Sequence, residues 1–153
     1  MMLDSNILID KLCKRQPFYE TSSRVFLLGV FGDAELYISV TMLTDIHYVL
    51  SKQYGNKEAQ DILQENLGML KLCGVSAEDG LWSLRQRWDD FEECLVARCA
   101  ENVKADYIIT RDKTGFGKSL VPTLTPEELF VLLNDREGLS YHEIDLEVPG
   151  SAQ

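Results

Sequence analysis

The sequence has few of the residues that build several common kinds of functional site. Only two of its 153 residues are histidine, and its four cysteines form no Cys-x-x-Cys pair, which argues against a zinc site. No apolar run approaches the roughly 18 residues that cross a bilayer. The N-terminus carries an acid where a signal peptide carries basic residues. We therefore expect a cytoplasmic protein with free thiols and no membrane partner.

Basic residues are also scarce, because 15 lysines and arginines stand against 25 aspartates and glutamates, for a net charge of −10. An even spread of negative charge would repel the phosphates of a nucleic acid. The local electrostatic potential becomes positive where several acids bind one or two Mg²⁺ ions. The charge therefore argues against a nucleic-acid partner only if the acids are dispersed.

Apolar residues at helical spacing alternate with short β-branched runs, which predicts one α/β domain over residues 1–153. Strands are predicted at 1–3, 36–39, 72–75, 106–110 and 121–124. Helices are predicted from near Ser5, from Pro17 to near Gly32, from Thr41, over 57–70, from Ser76 to 89–90, over 91–102 and from Pro126. Because helices separate the strands, the sheet should be mainly parallel and covered on both faces. Residues 138–153 are predicted to form an edge strand or a tail.

Five acids lie just beyond predicted strands or in the opening of the next helix: Asp4, Asp45, Asp90, Glu93 and Asp112. The carboxyl ends of parallel strands share one edge of a sheet, where ligands collect. Carboxylates gathered there repel one another unless a hard cation lies between them, and oxygen-only ligation selects Mg²⁺ or Mn²⁺. The same positions suit helix caps and turns, so spacing alone leaves both interpretations open.

Four local motifs resemble those of the PIN-domain ribonucleases, which include the VapC-type toxin nucleases, and they follow the family's order over residues 3–132. In this chain the first motif is MLDSNILID and the second is ISVTMLTDIHYVL. The third is DFEECLVARCA, and the fourth is DYIITRDKTGF followed by VPTLTPEEL. The resemblance implies a three-layer α/β/α sandwich that hydrolyses RNA phosphodiesters with Mg²⁺ or Mn²⁺, leaving a 5′-phosphate and a 3′-hydroxyl. It also implies RNA, an antitoxin and a second copy of the chain (a homodimer) as partners.

The resemblance implies which acids have the catalytic and metal-binding roles. Asp4, Asp45 and Asp112 match metal-site acids of the family. The third acid stays open between Glu93, which matches the Asp-apolar pattern, and the preceding Asp90. Asp45 stands where the family usually has Glu, and Glu93 stands where it usually has Asp.

Four further residues are expected to assist these acids. Asn6 and Thr110 would hold carboxylates or a water by hydrogen bonds, although a helix start and a strand-end turn would explain them as well. Arg111 and Lys113 are expected to bind RNA phosphates.

Two other functions stay open at the level of sequence. A non-catalytic PIN-like domain that binds protein or RNA would keep the fold with an impaired metal site, and the departures at Asp45 and Glu93 favour it. A Mg²⁺ phosphatase with Asp4 as nucleophile would carry a second aspartate two residues later, where this chain has Asn6. Metal titration separates the first alternative from the nuclease.

Overall fold

A parallel sheet of five strands runs through the middle of the computed structural model, which describes residues 1–138 and Tyr141. The strands are β1 (Met2–Leu3), β2 (Tyr37–Ser39), β3 (Lys71–Cys73), β4 (Ile108–Ile109) and β5 (Thr123–Leu124). Their order across the sheet is β3-β2-β1-β4-β5, and every pairing is parallel. The predicted parallel sheet is therefore confirmed.

Seven helices flank the sheet within the described residues, which gives the α/β/α fold that the resemblance implies. They are α1 (Ser5–Leu12), α2 (Tyr19–Phe31), α3 (Met42–Tyr54), α4 (Asn56–Leu67), α5 (Ala77–Gln86), α6 (Phe91–Asn102) and α7 (Pro126–Glu137). The predicted bounds of α6 are confirmed residue for residue. In the part of the chain that the structure describes, no helix is long and apolar enough to span a membrane.

Side-chain caps begin three of these helices. Ser76 starts α5 with a capping box to Asp79, as the sequence predicts, and Thr125 starts α7 in the same way. The Asp90 carboxylate caps α6. Thr41 precedes α3 but makes no side-chain cap bond.

Several predicted boundaries are wrong. The helix predicted to reach 89–90 ends at Gln86, because Arg87 takes a left-handed conformation with φ 50°. The helix predicted over 57–70 ends at Leu67, before Gly68. The strand predicted over 106–110 is only two residues long, Ile108–Ile109, which pair with Met2–Leu3 of β1 and Thr123–Leu124 of β5.

The core is densest around the two central strands, where all four residues of β1 and β4 are fully buried. In contrast, α5 does not turn all of its apolar residues inward. Leu81 and Leu84 are 54% and 61% exposed, whereas Asp79 and Ser83 are buried. Asp79 accepts hydrogen bonds from Arg98 and Asn102, and it thereby joins α5 to α6.

The edge strand or tail predicted over 138–153 lies outside the described residues, except for Gly138 and Tyr141. Tyr141 is buried, and its ring lies 6.1 Å from that of Phe31 and 5.9 Å from that of Phe130, measured between centroids. The backbone carbonyl of Tyr141 accepts a hydrogen bond from Arg24. Tyr141 therefore packs against α2 and α7.

Candidate active site

Asp4 lies at the junction of β1 and α1, and three neighbouring groups hold its carboxylate. Its Oδ2 atom accepts a hydrogen bond of 2.6 Å from Asn6 Nδ2 and another of 2.6 Å from Thr110 Oγ1. Asn6 Nδ2 also donates to Thr110 Oγ1 at 2.9 Å. Burial raises the pKa of Asp4, against the lowering effect of the Thr110 and Ser5 hydrogen bonds. The structure thus places Asn6 and Thr110 where the sequence predicts them, beside this acid.

Thr110 connects Asp4 to the loop that follows β4. Its side chain is fully buried, and its Oγ1 atom accepts a hydrogen bond of 3.1 Å from the backbone N–H of Asp112. The exposed Asp112 carboxylate accepts one of 2.9 Å from the backbone N–H of Thr114. That backbone hydrogen bond is the main reason that the pKa of Asp112 is lowered. One hydroxyl therefore links two acids that are 108 positions apart in the chain.

The first turn of α6 contributes three acids, of which Asp90 is the helix cap. Its Oδ1 atom accepts hydrogen bonds from the backbone N–H groups of Glu92, at 2.8 Å, and of Glu93, at 3.2 Å. The cap fixes the backbone from which both glutamates project. Asp90 consequently serves the site at least by orienting its two neighbours.

Glu93, in the same turn of α6, has a pKa well above the ordinary value of a glutamate. Burial, followed by the charges of Asp90, Asp4, Asp112 and Glu92, raises its pKa to about 7. Burial disfavours the charged form of the carboxyl group, and the four neighbouring negative charges add to that effect. The structure therefore brings Glu93 into electrostatic contact with acids from β1, β4 and its own helix.

Asp45 is exposed in the first turn of α3, and it reaches the group through a residue that the sequence analysis did not single out. Burial, followed by the charges of Asp45, Asp4 and Asp90, raises the pKa of Glu92. The charge of Asp45 thus acts on Glu92 together with the charges of Asp4 and Asp90. Its signal in the sequence was the adjacent pair of glutamates directly after a predicted helix start.

The described acids repel one another, but they are not arranged closely enough to surround an ion. Within residues 1–138 and Tyr141, no three histidine, cysteine, aspartate or glutamate side chains lie close enough together to share an ion. Even so, the donor set consists only of carboxylate, hydroxyl and amide oxygens, which Mg²⁺ and Mn²⁺ prefer. A cation would relieve the repulsion between carboxylates that, after burial, raises the pKa of Glu93. The residues present fit a hard divalent cation.

Arg111 and Lys113, the predicted RNA-binding residues, are both paired with acids. The Arg111 Nε atom lies 2.7 Å from Asp10 Oδ2, and its guanidinium stacks 4.2 Å from the centroid of the Phe18 ring. Lys113 Nζ lies 2.6 Å from Glu128 Oε1 on the surface. Arg111 is thus part of a buried pair, whereas Lys113 makes an exposed pair that solvent weakens.

Asp10 is a second residue that sequence reasoning missed. It is fully buried in α1, and burial raises its pKa, whereas the charge of Arg111 lowers it. Among the described residues, neither carboxylate oxygen accepts a hydrogen bond, so charge rather than aligned hydrogen bonds holds the pair. The pair joins α1, which follows Asp4, to the loop that carries Asp112.

The chain is similar to known proteins both in sequence and in fold. A model of the PIN domain matches residues 1–114, a stretch that contains all five predicted acids. No curated protein matches the chain in sequence. Among solved structures, VapBC2 from Rickettsia felis, bound to a DNA fragment from its promoter, has a TM-score of 0.62 and 21% identity over 81% of this chain and 96% of that one.

Two further solved structures show the same likeness of fold. VapC20 from Mycobacterium tuberculosis, a sarcin–ricin loop cleaving toxin, has a TM-score of 0.61 and 11% identity over 76% of this chain and 93% of that one. A toxin–antitoxin complex from Klebsiella pneumoniae has a TM-score of 0.59 and 18% identity over 82% of this chain and 96% of that one. The matched region covers almost the whole of each of these three chains.

Proposed function

The chain belongs to the PIN domain family, whose model matches residues 1–114, and on that premise we propose that it is a Mg²⁺- or Mn²⁺-dependent ribonuclease. The observation that carries the proposal is that the Thr110 hydroxyl links Asp4 to the backbone of Asp112, and that the charges of both acids act on Glu93. Burial and the neighbouring carboxylates raise the pKa of Glu93 to about 7. A site of this kind attracts a divalent cation, and with it a phosphate group.

The role of the acids in the proposed reaction is to bind the cation. Asp4, Asp45, Glu93 and Asp112 hold the cation, with Asp90 beside them. When bound, the cation polarises the scissile phosphate, neutralises charge in the transition state and lowers the pKa of the attacking water. The hydrogen bonds from Asn6 and Thr110 to Asp4 fix the direction of its carboxylate before substrate arrives.

Proton transfer in the proposed reaction does not depend on histidine. His47 lines a cleft between α3 and α4 with Leu43 and Leu63, and His142 lies outside the described residues. In the metal-free protein, burial followed by neighbouring charges raises the pKa of Glu93 to about 7, so its carboxyl group exchanges a proton near neutral pH. A cation held by Glu93 would take the place of that proton.

We further propose that the chain is the toxin of a toxin–antitoxin pair and forms a cytoplasmic homodimer. The likeness of fold to VapBC2 and to the Klebsiella pneumoniae complex supports an antitoxin partner. Copurification with the product of an adjacent gene tests the antitoxin. Light scattering at twice the 17.4 kDa mass of the chain tests the dimer.

Cleavage of RNA with analysis of the product ends tests the nuclease. With Mn²⁺, the wild type should produce 5′-phosphate and 3′-hydroxyl ends, and excess chelator should stop the reaction. Asp4→Asn should lower the rate by about 100-fold or more, because it removes a charged ligand. Asp61→Asn, at an exposed acid on α4, is the matched control and should leave the rate unchanged. Cleavage that persists in Asp4→Asn or in chelator would contradict the proposal.

The second candidate is a non-catalytic PIN-like domain that binds RNA or protein. The exposure of Asp45 and the spacing of the described acids favour it. This candidate predicts RNA binding without cleavage and without any effect of Mn²⁺. The end-group experiment therefore separates the two functions in one assay.

A further inference from the structure

Gly115 lies directly against the carboxylate of Glu93, in the loop 111–119 that follows β4. A Cβ atom built on Gly115 would coincide with that carboxylate, and its three nearest atoms would be Oε2, Cδ and Oε1 of Glu93. We propose that Gly115 positions the Glu93 carboxylate, because the missing side chain leaves the space in which the carboxylate lies. The inference rests on the proposed function, in which Glu93 helps to hold the cation.

Backbone conformation does not account for a glycine at this position. The glycines with positive φ among the described residues are Gly32, Gly55 and Gly138, and Gly115 is not one of them. A residue with a side chain could therefore adopt the same backbone. What makes glycine necessary at 115 is the space that Glu93 occupies.

Gly117, two residues later in the same loop, has room for a side chain. A Cβ atom there would meet only the backbone oxygen of Thr114, at 3.5 Å, which is normal van der Waals contact. Gly117 is exposed and touches none of the acids through such an atom. It is therefore a matched control for the effect of adding one methyl group to this loop.

The loop is anchored and cannot easily give way. The Phe116 side chain, next to Gly115, is 3% exposed and belongs to the hydrophobic core. The Phe116 N–H donates to the Lys113 carbonyl at 3.1 Å, and the Ser119 N–H donates to the Phe116 carbonyl at 2.9 Å. At the other side, the Asp90 cap fixes the backbone of Glu93. The end of the flexible Glu93 side chain is consequently the part that a methyl group would displace.

This displacement would act on the site more than on the fold. Rotation of the Glu93 side chain costs little, but it would take the carboxylate out of the position in which the charges of Asp4 and Asp112 now act on it. The loop from 111 to 119 thus has two tasks in the proposed site. It supplies the Asp112 carboxylate, and it leaves room at Gly115 for the Glu93 carboxylate.

The test measures Mn²⁺ affinity by isothermal titration, RNA cleavage and thermal unfolding on one set of proteins. The set is the wild type, Gly115→Ala, Gly117→Ala, Glu93→Asp and Glu93→Asp/Gly115→Ala. Gly115→Ala should weaken Mn²⁺ binding by about 10- to 100-fold, as loss of a ligand-orienting contact does, with the unfolding midpoint unchanged. Gly117→Ala should match the wild type in all three measurements.

The Glu93→Asp background makes the test specific. A side chain shorter by one methylene withdraws the carboxylate from Gly115, so adding Gly115→Ala should then weaken Mn²⁺ binding by less than about twofold. An equal loss in both backgrounds would overturn the positioning role. So would a lowered unfolding midpoint in Gly115→Ala that Glu93→Asp does not restore.

The remaining outcomes separate this inference from the proposed function. Mn²⁺ binding and cleavage in Gly115→Ala equal to those of the wild type would overturn the role of Gly115 and leave the nuclease standing. A wild type that neither binds Mn²⁺ nor cleaves RNA would overturn the proposed function, and the role of Gly115 with it.

Discussion

At the scale of single residues, the Thr110 hydroxyl is the group on which most of the described site depends. It donates to Asp4, accepts from Asn6 and accepts from the backbone of Asp112, all within a fully buried side chain. Such a hydroxyl fixes two elements of the site at once. A strand-end turn would need only the last of these three hydrogen bonds.

Thr110→Val tests this role, because it keeps the shape of the side chain and removes the hydroxyl. Asp4 would lose a hydrogen bond of 2.6 Å, and the N–H of Asp112 would lose its acceptor. We expect Mn²⁺ affinity to fall by about tenfold and the free energy of unfolding by about 1–3 kcal/mol. Thr110→Ser keeps the hydroxyl and should retain most of the affinity. Equal Mn²⁺ affinities for the Val and Ser variants would contradict the role.

Glu93 provides a pH-dependent prediction for the metal-free protein. Its pKa rises from 4.5 to about 7 on folding, so between these values the folded state binds more protons than the unfolded state. The contribution of Glu93 to the free energy of unfolding should therefore fall as the pH rises from 4.5 to 7. Affinity for Mn²⁺ should rise over the same window, because the proton and the cation compete for one carboxylate.

Urea unfolding of the wild type and Glu93→Gln at several pH values, with chelator present, measures this contribution. The wild type should lose stability relative to Glu93→Gln as the pH rises through this window. A difference between the two proteins that does not change with pH would mean that the Glu93 carboxyl group is not perturbed in solution.

The residues of the site were predictable to different degrees. Asp4, Asn6 and Thr110 follow from a strand that ends in Asp-x-Asn and from a second strand that ends in Thr, and the structure places all three in contact. Asp10 was not predictable, because an acid in a helix normally faces solvent and its partner Arg111 lies 101 positions away. Only the three-dimensional fold brings such a pair together.

At the scale of elements, the pair of Asp10 and Arg111 joins α1 to the loop after β4. The Asp10 side chain is fully buried and that of Arg111 is 30% exposed. The backbone N–H of Arg111 also donates to Asn6 Oδ1 at 3.3 Å, which adds a second link between the same two elements. The pair therefore holds the helix that follows Asp4 against the loop that carries Asp112.

Arg111→Met should destabilise the fold, because it leaves the buried Asp10 charge without its partner. We expect a loss of about 3–5 kcal/mol in the free energy of unfolding. Asp10→Asn/Arg111→Met should recover part of this loss, because it removes the uncompensated charge. Lys113→Met breaks only an exposed pair and should cost less than about 1 kcal/mol. The role would be refuted if chemical denaturation gave the same small loss for both single variants.

Element types were easier to predict from the sequence than element ends. Capping boxes at Ser76 and Thr125 mark helix starts by local hydrogen bonds, so the sequence predicts them well. Helix and strand ends carry weaker local signals: β4 pairs with each neighbour over only two residues, and α5 stops where Arg87, a residue without a turn preference, takes a left-handed conformation. The extent of strand pairing depends on distant segments of the chain, which no local pattern contains.

At the scale of the whole molecule, some of the acids behind the net charge of −10 act together at one edge of the sheet. At the carboxyl edge of the sheet, burial raises the pKa values of Glu92 and Glu93, and the negative charge of Asp4 raises both further. The parallel topology that creates this edge was predictable, because helices separate the strands along the chain. The part that was not predictable is how closely the acids approach, since side-chain geometry sets that distance.

Isothermal titration of Mn²⁺ into the metal-free wild type and into Asp4→Asn/Asp112→Asn, with RNA cleavage measured on the same samples, tests the central claim most directly. We expect the wild type to bind Mn²⁺ and cleave RNA, and the double variant to lose both together. A wild type that cleaves RNA while the double variant binds Mn²⁺ and cleaves equally well would contradict the claim, as would a wild type that does neither.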